Sequence, residues 1–187
     1  MTDPRSVNLP PLSDERMRFH TWKERDNPSL SFAHYVAKSM ARGNLTQGNF
    51  LVLAGATGVG KTHLALAIAW EWFEDGCSVL FMRVDDLLDW LRQGYDDGSY
   101  HQRLERLRSR NLLILDDLGA EHTSDWAGER IDRIVDWRYV DRTPLVVTTN
   151  AMSEDLAPRV ASRLGDSAYS LVVAIDAGDY RQFVKQP

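Results

Sequence analysis

Residues Gly55-Ala56-Thr57-Gly58-Val59-Gly60-Lys61-Thr62 spell G-x-x-x-x-G-K-[ST] between an apolar run, Phe50 to Ala54, and a helix-like run, His63 to Glu74. A strand before and a helix after are the setting in which this pattern forms a phosphate-binding loop. Glycines let the backbone turn tightly and aim successive N–H groups inward. The start of the next helix adds its positive dipole end, so a polyphosphate meets a preformed anion cradle. Lys61 is placed to reach the β- and γ-phosphates, and Thr62 offers a hydroxyl that ligates Mg²⁺ together with an acidic residue on a second strand. A glycine-rich turn without function gives no reason for a Lys-Thr pair to follow it. The stretch Gly55 to Thr62, with His63 next in line, therefore predicts binding of ATP or ADP with Mg²⁺.

Outward from this loop, strand-like and helix-like runs alternate: Phe50–Ala54, Thr62–Asp75, Ser78–Arg83, Asp85–Gln93, Ser99–Ser109, Asn111–Leu115, Asp125–Val140, Leu145–Thr149, Pro158–Leu164 and Tyr169–Ile175. A further helix is expected over Ser31–Ala41, closed by Gly43. Such alternation builds an α/β domain with a mostly parallel sheet flanked by helices. The runs LVLA, LLIL and LVVTT are continuously apolar, as strands covered on both faces are. Ligand chemistry belongs at the carboxyl ends of such strands, where the glycine-rich loop also lies.

Asn111-Leu112-Leu113-Ile114-Leu115-Asp116-Asp117 delivers two carboxylates to that edge, in the manner of a Walker B strand. Asp116 is the candidate Mg²⁺ ligand, direct or through water, and Asp117 the group that polarises an attacking water. By itself, an Asp after a buried strand is as readily a turn or helix cap. Asn150 ends another buried strand and is a candidate to orient a water beside the γ-phosphate, although a turn-forming Asn explains it equally. Arg159 and Arg163 stand four apart on one face of a short helix that Pro158 is suited to start. Taken alone, they and Arg181 read as solvated basic positions.

Composition bounds the rest. The 187 residues suit one α/β domain, read as a flexible tail over 1–18 and an ATPase domain over 19–187. The net charge of −5 is no general nucleic-acid signature, so any DNA contact must come from a local patch. Arginine outnumbers lysine, 18 against 4, which favours planar bidentate contacts with phosphate. Cys77, the single cysteine, excludes an intramolecular disulfide and a cysteine-rich zinc site. No apolar run is long enough to cross a bilayer and Met1 to Arg18 lacks a signal-peptide core, so no membrane association and cytoplasmic residence are expected. Trp70, Trp72, Trp126 and Trp137 lie in helix-like runs where core packing explains them more simply than base stacking.

GATGVGKTHLALAIA, LLILDDLGAEHTSDWAGERIDRIVDWRY, PLVVTTN, RVASRL and the closing GDYR occur in this order, and together they resemble the DnaC/DnaI/IstB group of AAA+ ATPases over roughly residues 45 to 183. The resemblance implies an AAA+ core with little or no separate lid domain. It also makes Arg163 an arginine finger reaching a neighbouring subunit's γ-phosphate, Arg181 a sensor acting within its own subunit, Arg159 a supporting residue and Glu121 a further active-site acid. A finger acting in trans implies self-association into a ring or open spiral.

Helicase loaders of this group grip single-stranded DNA through a helical insertion after the second strand. That region here is Asp85 to Arg110, with His101, Arg103, Arg106, Arg108 and Arg110 near Tyr100. Positive charge beside stacking rings suits a single strand, while Arg103, Arg106 and Arg110 also fit a solvated helix face. Loaders further carry an N-terminal module for the replicative helicase. A minimal loader, a removed module, or a short docking segment over Leu12 to Trp22 would each suit this chain. The leading expectation is a DNA-replication ATPase of helicase-loader type. The others are an IstB-like transposition helper preferring duplex DNA, a nucleotide-gated adaptor in which Asp117 replaces the more usual catalytic Glu, and a small-molecule kinase.

Overall fold

The computed structural model describes residues 15–45, 48–119, 124–151 and 153–183. Five strands form one sheet: β1 (Phe50–Gly55), β2 (Val79–Arg83), β3 (Leu112–Leu118), β4 (Leu145–Thr149) and β5 (Ser170–Ile175). The order is β2-β3-β4-β1-β5, and every neighbouring pair is parallel. The helices are α1 (Pro28–Ala41), α2 (Lys61–Glu74), α3 (Val84–Asp96), α4 (Tyr100–Arg108), α5 (Asp125–Val140), α6 (Pro158–Leu164) and α7 (Tyr180–Phe183). Among the described residues no helix is long and apolar enough to cross a membrane.

Side chains alternate across a strand, so each apolar run feeds two cores. Leu51 and Leu53 of β1 join Leu112 and Ile114 of β3 and Val146 of β4 under α1 and α2. Phe50, Val52, Leu113, Leu115, Leu145 and Val147 point the other way, under α3, α4, α5 and α6. Removal of each such Leu or Ile side chain from water contributes about 1.5–3 kcal/mol, which is why these three strands tolerate no polar residue until their carboxyl ends.

Two expected boundaries moved. Helix α1 begins at Pro28, three residues earlier than the pattern from Ser31 suggested, because Asn27 caps it by accepting from the Leu30 N–H at 3.1 Å. An Asn-Pro pair is a start signal in its own right. Strand β3 runs on through both carboxylates to Leu118, but its register against β4 shifts between Leu115 and Leu118. Asp117 sits in that shift with φ +64°, a left-handed backbone that costs a non-glycine residue about 1–3 kcal/mol.

Arg138 of α5 is buried, and its guanidinium donates to the carbonyls of Arg110 (2.7 Å) and Leu107. Burial pulls its pKa down to about 10. These carbonyls belong to the end of α4 and the turn into β3, where helical carbonyls lack partners and a cation is favoured. Arg138→Met should cost about 2–3 kcal/mol in urea unfolding, because one buried and one part-buried carbonyl lose a donor.

Candidate nucleotide site

The loop from Gly55 to Gly60 joins β1, an interior strand of the sheet, to α2. Val59 is fully buried and pins the loop to the core, while Ala56 and Thr57 are exposed on its crest. Gly60 precedes α2 with φ +113°, a conformation available to glycine at no steric cost. Lys61 is buried, and its ammonium donates to the carbonyls of Gly55 (2.7 Å) and Ala56 (2.9 Å), inside the loop it helps to form. Burial lowers its pKa, and the carboxylates of Asp117 and Asp116 oppose that shift. The cation is thus stored at the site in a partly desolvated state, where an arriving phosphate interacts strongly.

Asp116 lies buried at the end of β3, and its Oδ1 accepts two hydroxyls, from Thr62 at 2.9 Å and from Thr148 at 2.7 Å. Thr148 in turn accepts from the Asp117 N–H at 2.9 Å, so one side chain of β4 fixes both acidic residues. The Thr62 hydroxyl and the Asp116 carboxylate form an adjacent pair of hard oxygen donors. That pair fits Mg²⁺, a cation that takes one or two protein oxygens and completes its shell with water and phosphate. Asp117 is more open, and Arg83 of β2 contacts its Oδ2 at 3.3 Å. Asn150 is exposed just past the carboxyl end of β4, the strand placed between β1 and β3.

The remaining expected residues lie elsewhere. His63 faces the lead-in: its Nε2 is 3.0 Å from the Arg18 carbonyl and its ring meets Trp22 edge-on at 5.2 Å. Arg163 turns to its own α5, donating to Asp132 at 2.9 Å and to Asp136, and Arg159 reaches Asp132 at 3.2 Å. Arg181 is exposed on α7. Glu121 and residues 1–14 of the expected 1–18 tail lie outside the described residues. In the candidate DNA region, Arg103 is held internally by Asp97 (2.5 Å), Ser99 (2.7 Å) and the Trp90 carbonyl. Arg108 pairs with Asp141 at 2.9 Å, while Arg106 and His101 are exposed on α4.

Sequence reasoning missed Thr148, Arg83 and the segments that cross the loop. Thr148 carried a readable signal, a hydroxyl at the carboxyl end of an otherwise apolar strand. Of the crossing segments only the closing GDYR carried one, through the resemblance, and Arg25 carried none. Arg25 donates to the Val59 carbonyl at 3.0 Å and to the Gly178 carbonyl at 2.7 Å, and the Tyr180 N–H donates to the Gly58 carbonyl at 2.9 Å. A side chain at Gly58 would strike the Asp179 carboxylate, and one at Gly60 would strike the Trp22 ring. Beside them a cavity of about 340 Å³ opens over Leu30 and Ala177, rimmed by Arg25, Asn27 and Gln182.

The model of the family described as IstB-like ATP binding protein matches residues 35–168, a segment that contains the whole Lys61, Thr62, Asp116 and Thr148 constellation. The chain belongs to this IstB-like ATP-binding family. It is 33% identical to the putative ATP-binding protein of insertion sequence IS1162 from Pseudomonas fluorescens, over 72% of this chain and 54% of that one. To the replicative helicase loader DnaC of Escherichia coli K12 it is 30% identical, over 71% and 56%. The matches thus span little more than half the length of these relatives. A solved DnaC helicase loader structure superposes with a TM-score of 0.76 at 29% identity, covering 87% of this chain and 98% of that one. The IstB-like chain accordingly has the parallel sheet expected from its alternating pattern and the AAA+ P-loop architecture that the resemblance implied.

Proposed function

We propose that the chain is a Mg²⁺-dependent ATPase of DNA replication, helicase-loader-like, that binds single-stranded DNA and assembles into a ring or open spiral with Arg163 acting on a neighbour's γ-phosphate. One observation carries the nucleotide part. The Lys61 ammonium, the Thr62 hydroxyl and the Asp116 carboxylate converge at one sheet edge, held by Gly55, Ala56 and Thr148. In this reading the loop and Lys61 take the phosphates, Thr62 and Asp116 hold Mg²⁺, and the adjoining cavity gives the nucleoside room. Asn150 and Asp117 orient and polarise the water. Arg181 reaches the phosphates of its own subunit, and Glu121 adds a further acid.

The helicase and DNA parts are supported by the likeness to DnaC, a protein named as a replicative helicase loader. Such a partner would place the protein in the cytoplasm. A second reading, a transposition helper working on duplex DNA, is favoured by the family match and by the insertion-sequence relative.

Fluorescence anisotropy with labelled single-stranded and duplex oligonucleotides, in the presence of a non-hydrolysable ATP analogue, separates the two. Preference for the single strand is the expected result, and preference for duplex would move the assignment to the transposition helper. In the same titration Arg106→Ala should lower the slope of log affinity against log salt by about 0.7, the loss of one single-strand phosphate contact. An unchanged slope would remove α4 from the DNA surface.

A further inference from the structure

We propose that Arg25 is a positioning residue of the nucleotide site, turning two backbone N–H groups of the loop toward the phosphates from outside the glycine-rich motif. The proposal rests on the reading of Gly55 to Thr62 as the nucleotide site and concerns how that cradle is held ready.

Peptide geometry couples each carbonyl of the loop to the N–H that follows it. Among the described residues no peptide bond is cis, and in a trans peptide the C=O and the following N–H point to opposite sides. Arg25 draws the Val59 carbonyl toward itself at 3.0 Å, which aims the Gly60 N–H away from Arg25. The Tyr180 N–H draws the Gly58 carbonyl outward at 2.9 Å, which aims the Val59 N–H away in the same manner. Neither of these two N–H groups has an acceptor among the described residues. Two successive N–H groups left without partners form an anion-binding concavity, and a loop free to rotate its peptides would hold that concavity only part of the time.

Arg25 also ties down the second of these carbonyl contacts. Its other Nη donates to the Gly178 carbonyl at 2.7 Å, and its guanidinium stands 5.5 Å from the centre of the Tyr180 ring. The segment it holds is anchored again by Asn27, whose amide donates to the Asp176 carbonyl at 2.9 Å, and by Ser29, which accepts from the Asp176 N–H at 3.0 Å. One planar side chain therefore bridges the loop and the segment leading into Arg181. A guanidinium can donate along two directions at once, and the point-like ammonium of lysine cannot reproduce that fork.

The test is equilibrium binding of ADP and ATP to the whole chain with Mg²⁺, paired with hydrogen exchange of the nucleotide-free protein. Arg25→Ala should weaken both nucleotides about tenfold, as expected for the loss of charge-assisted contacts that preorganise the site. Exchange should accelerate over 56–60 and 176–181 while β1, β3 and β4 stay protected. Arg25→Lys should recover part of the affinity. Nucleotide affinity within twofold of the parent would overturn the proposal. So would a loss of affinity accompanied by faster exchange throughout the sheet, which would mark Arg25 as a general support of the fold. Lys61→Ala, measured alongside, tests the nucleotide site itself: if that variant keeps its affinity, the underlying reading fails and not merely the part played by Arg25.

Discussion

Lys61→Ala abolishes nucleotide binding in a calorimetric or fluorescent-nucleotide titration, with a loss in affinity of at least about 100-fold. The size follows from where the ammonium sits. It is buried, its pKa is lowered by that burial, and its two present acceptors are neutral carbonyls of the loop. Charge-assisted hydrogen bonds from this ammonium to anionic phosphate oxygens contribute about 1.5–3 kcal/mol each, and the loss of two of them removes about two to four decades of affinity. The fold should survive, because the substitution also removes a desolvated charge. A variant that binds ATP within tenfold of the parent would show that the loop does not use Lys61 for phosphate.

Arg163→Ala leaves nucleotide affinity within about twofold and lowers hydrolysis in the assembled state by about 10³-fold or more, the magnitude associated with an arginine finger. The residue is engaged within its own protomer, donating to Asp132 and Asp136 of α5. In the proposed reading those carboxylates exchange with a neighbour's γ-phosphate when the finger acts, and activity would then depend on contact between subunits. Mixing supplies the decisive comparison. Lys61→Ala retains a finger, Arg163→Ala retains a loop, and the mixture should regain part of the turnover that each lacks alone. Normal hydrolysis by Arg163→Ala at high protein concentration would remove the residue from the active site.

What the amino-acid sequence disclosed and what it withheld divide along physical lines. The loop and the strand carrying Asp116 were legible because their signals are local: glycines, an apolar run, and a Lys-Thr pair starting a helix. The parallel sheet followed from alternating periodicities, and the strand ends came within a residue or two at most positions. Asp117 was less legible. Its left-handed backbone and its pairing with Arg83 depend on the register shift between β3 and β4, which no local pattern records. The same holds for Arg103, which looked like part of a basic face and is instead bonded to Asp97, Ser99 and the Trp90 carbonyl. Arg25 lies far from both of its acceptors along the chain, so only the folded arrangement connects it to the loop.

Asp117 also bears on rate. If Asp117 polarises the water as proposed, a side chain one methylene shorter than Glu and drawn toward Arg83 would favour slow basal turnover that rises on assembly. The most direct measurement is therefore ATP hydrolysis by the purified chain without DNA, with single-stranded DNA and with duplex DNA, at several protein concentrations. A loader-type ATPase with a shared active site should be stimulated by single strands and should turn over more steeply than linearly with protein. Turnover that is negligible throughout, or indifferent to both DNA and concentration, would overturn the helicase-loader assignment.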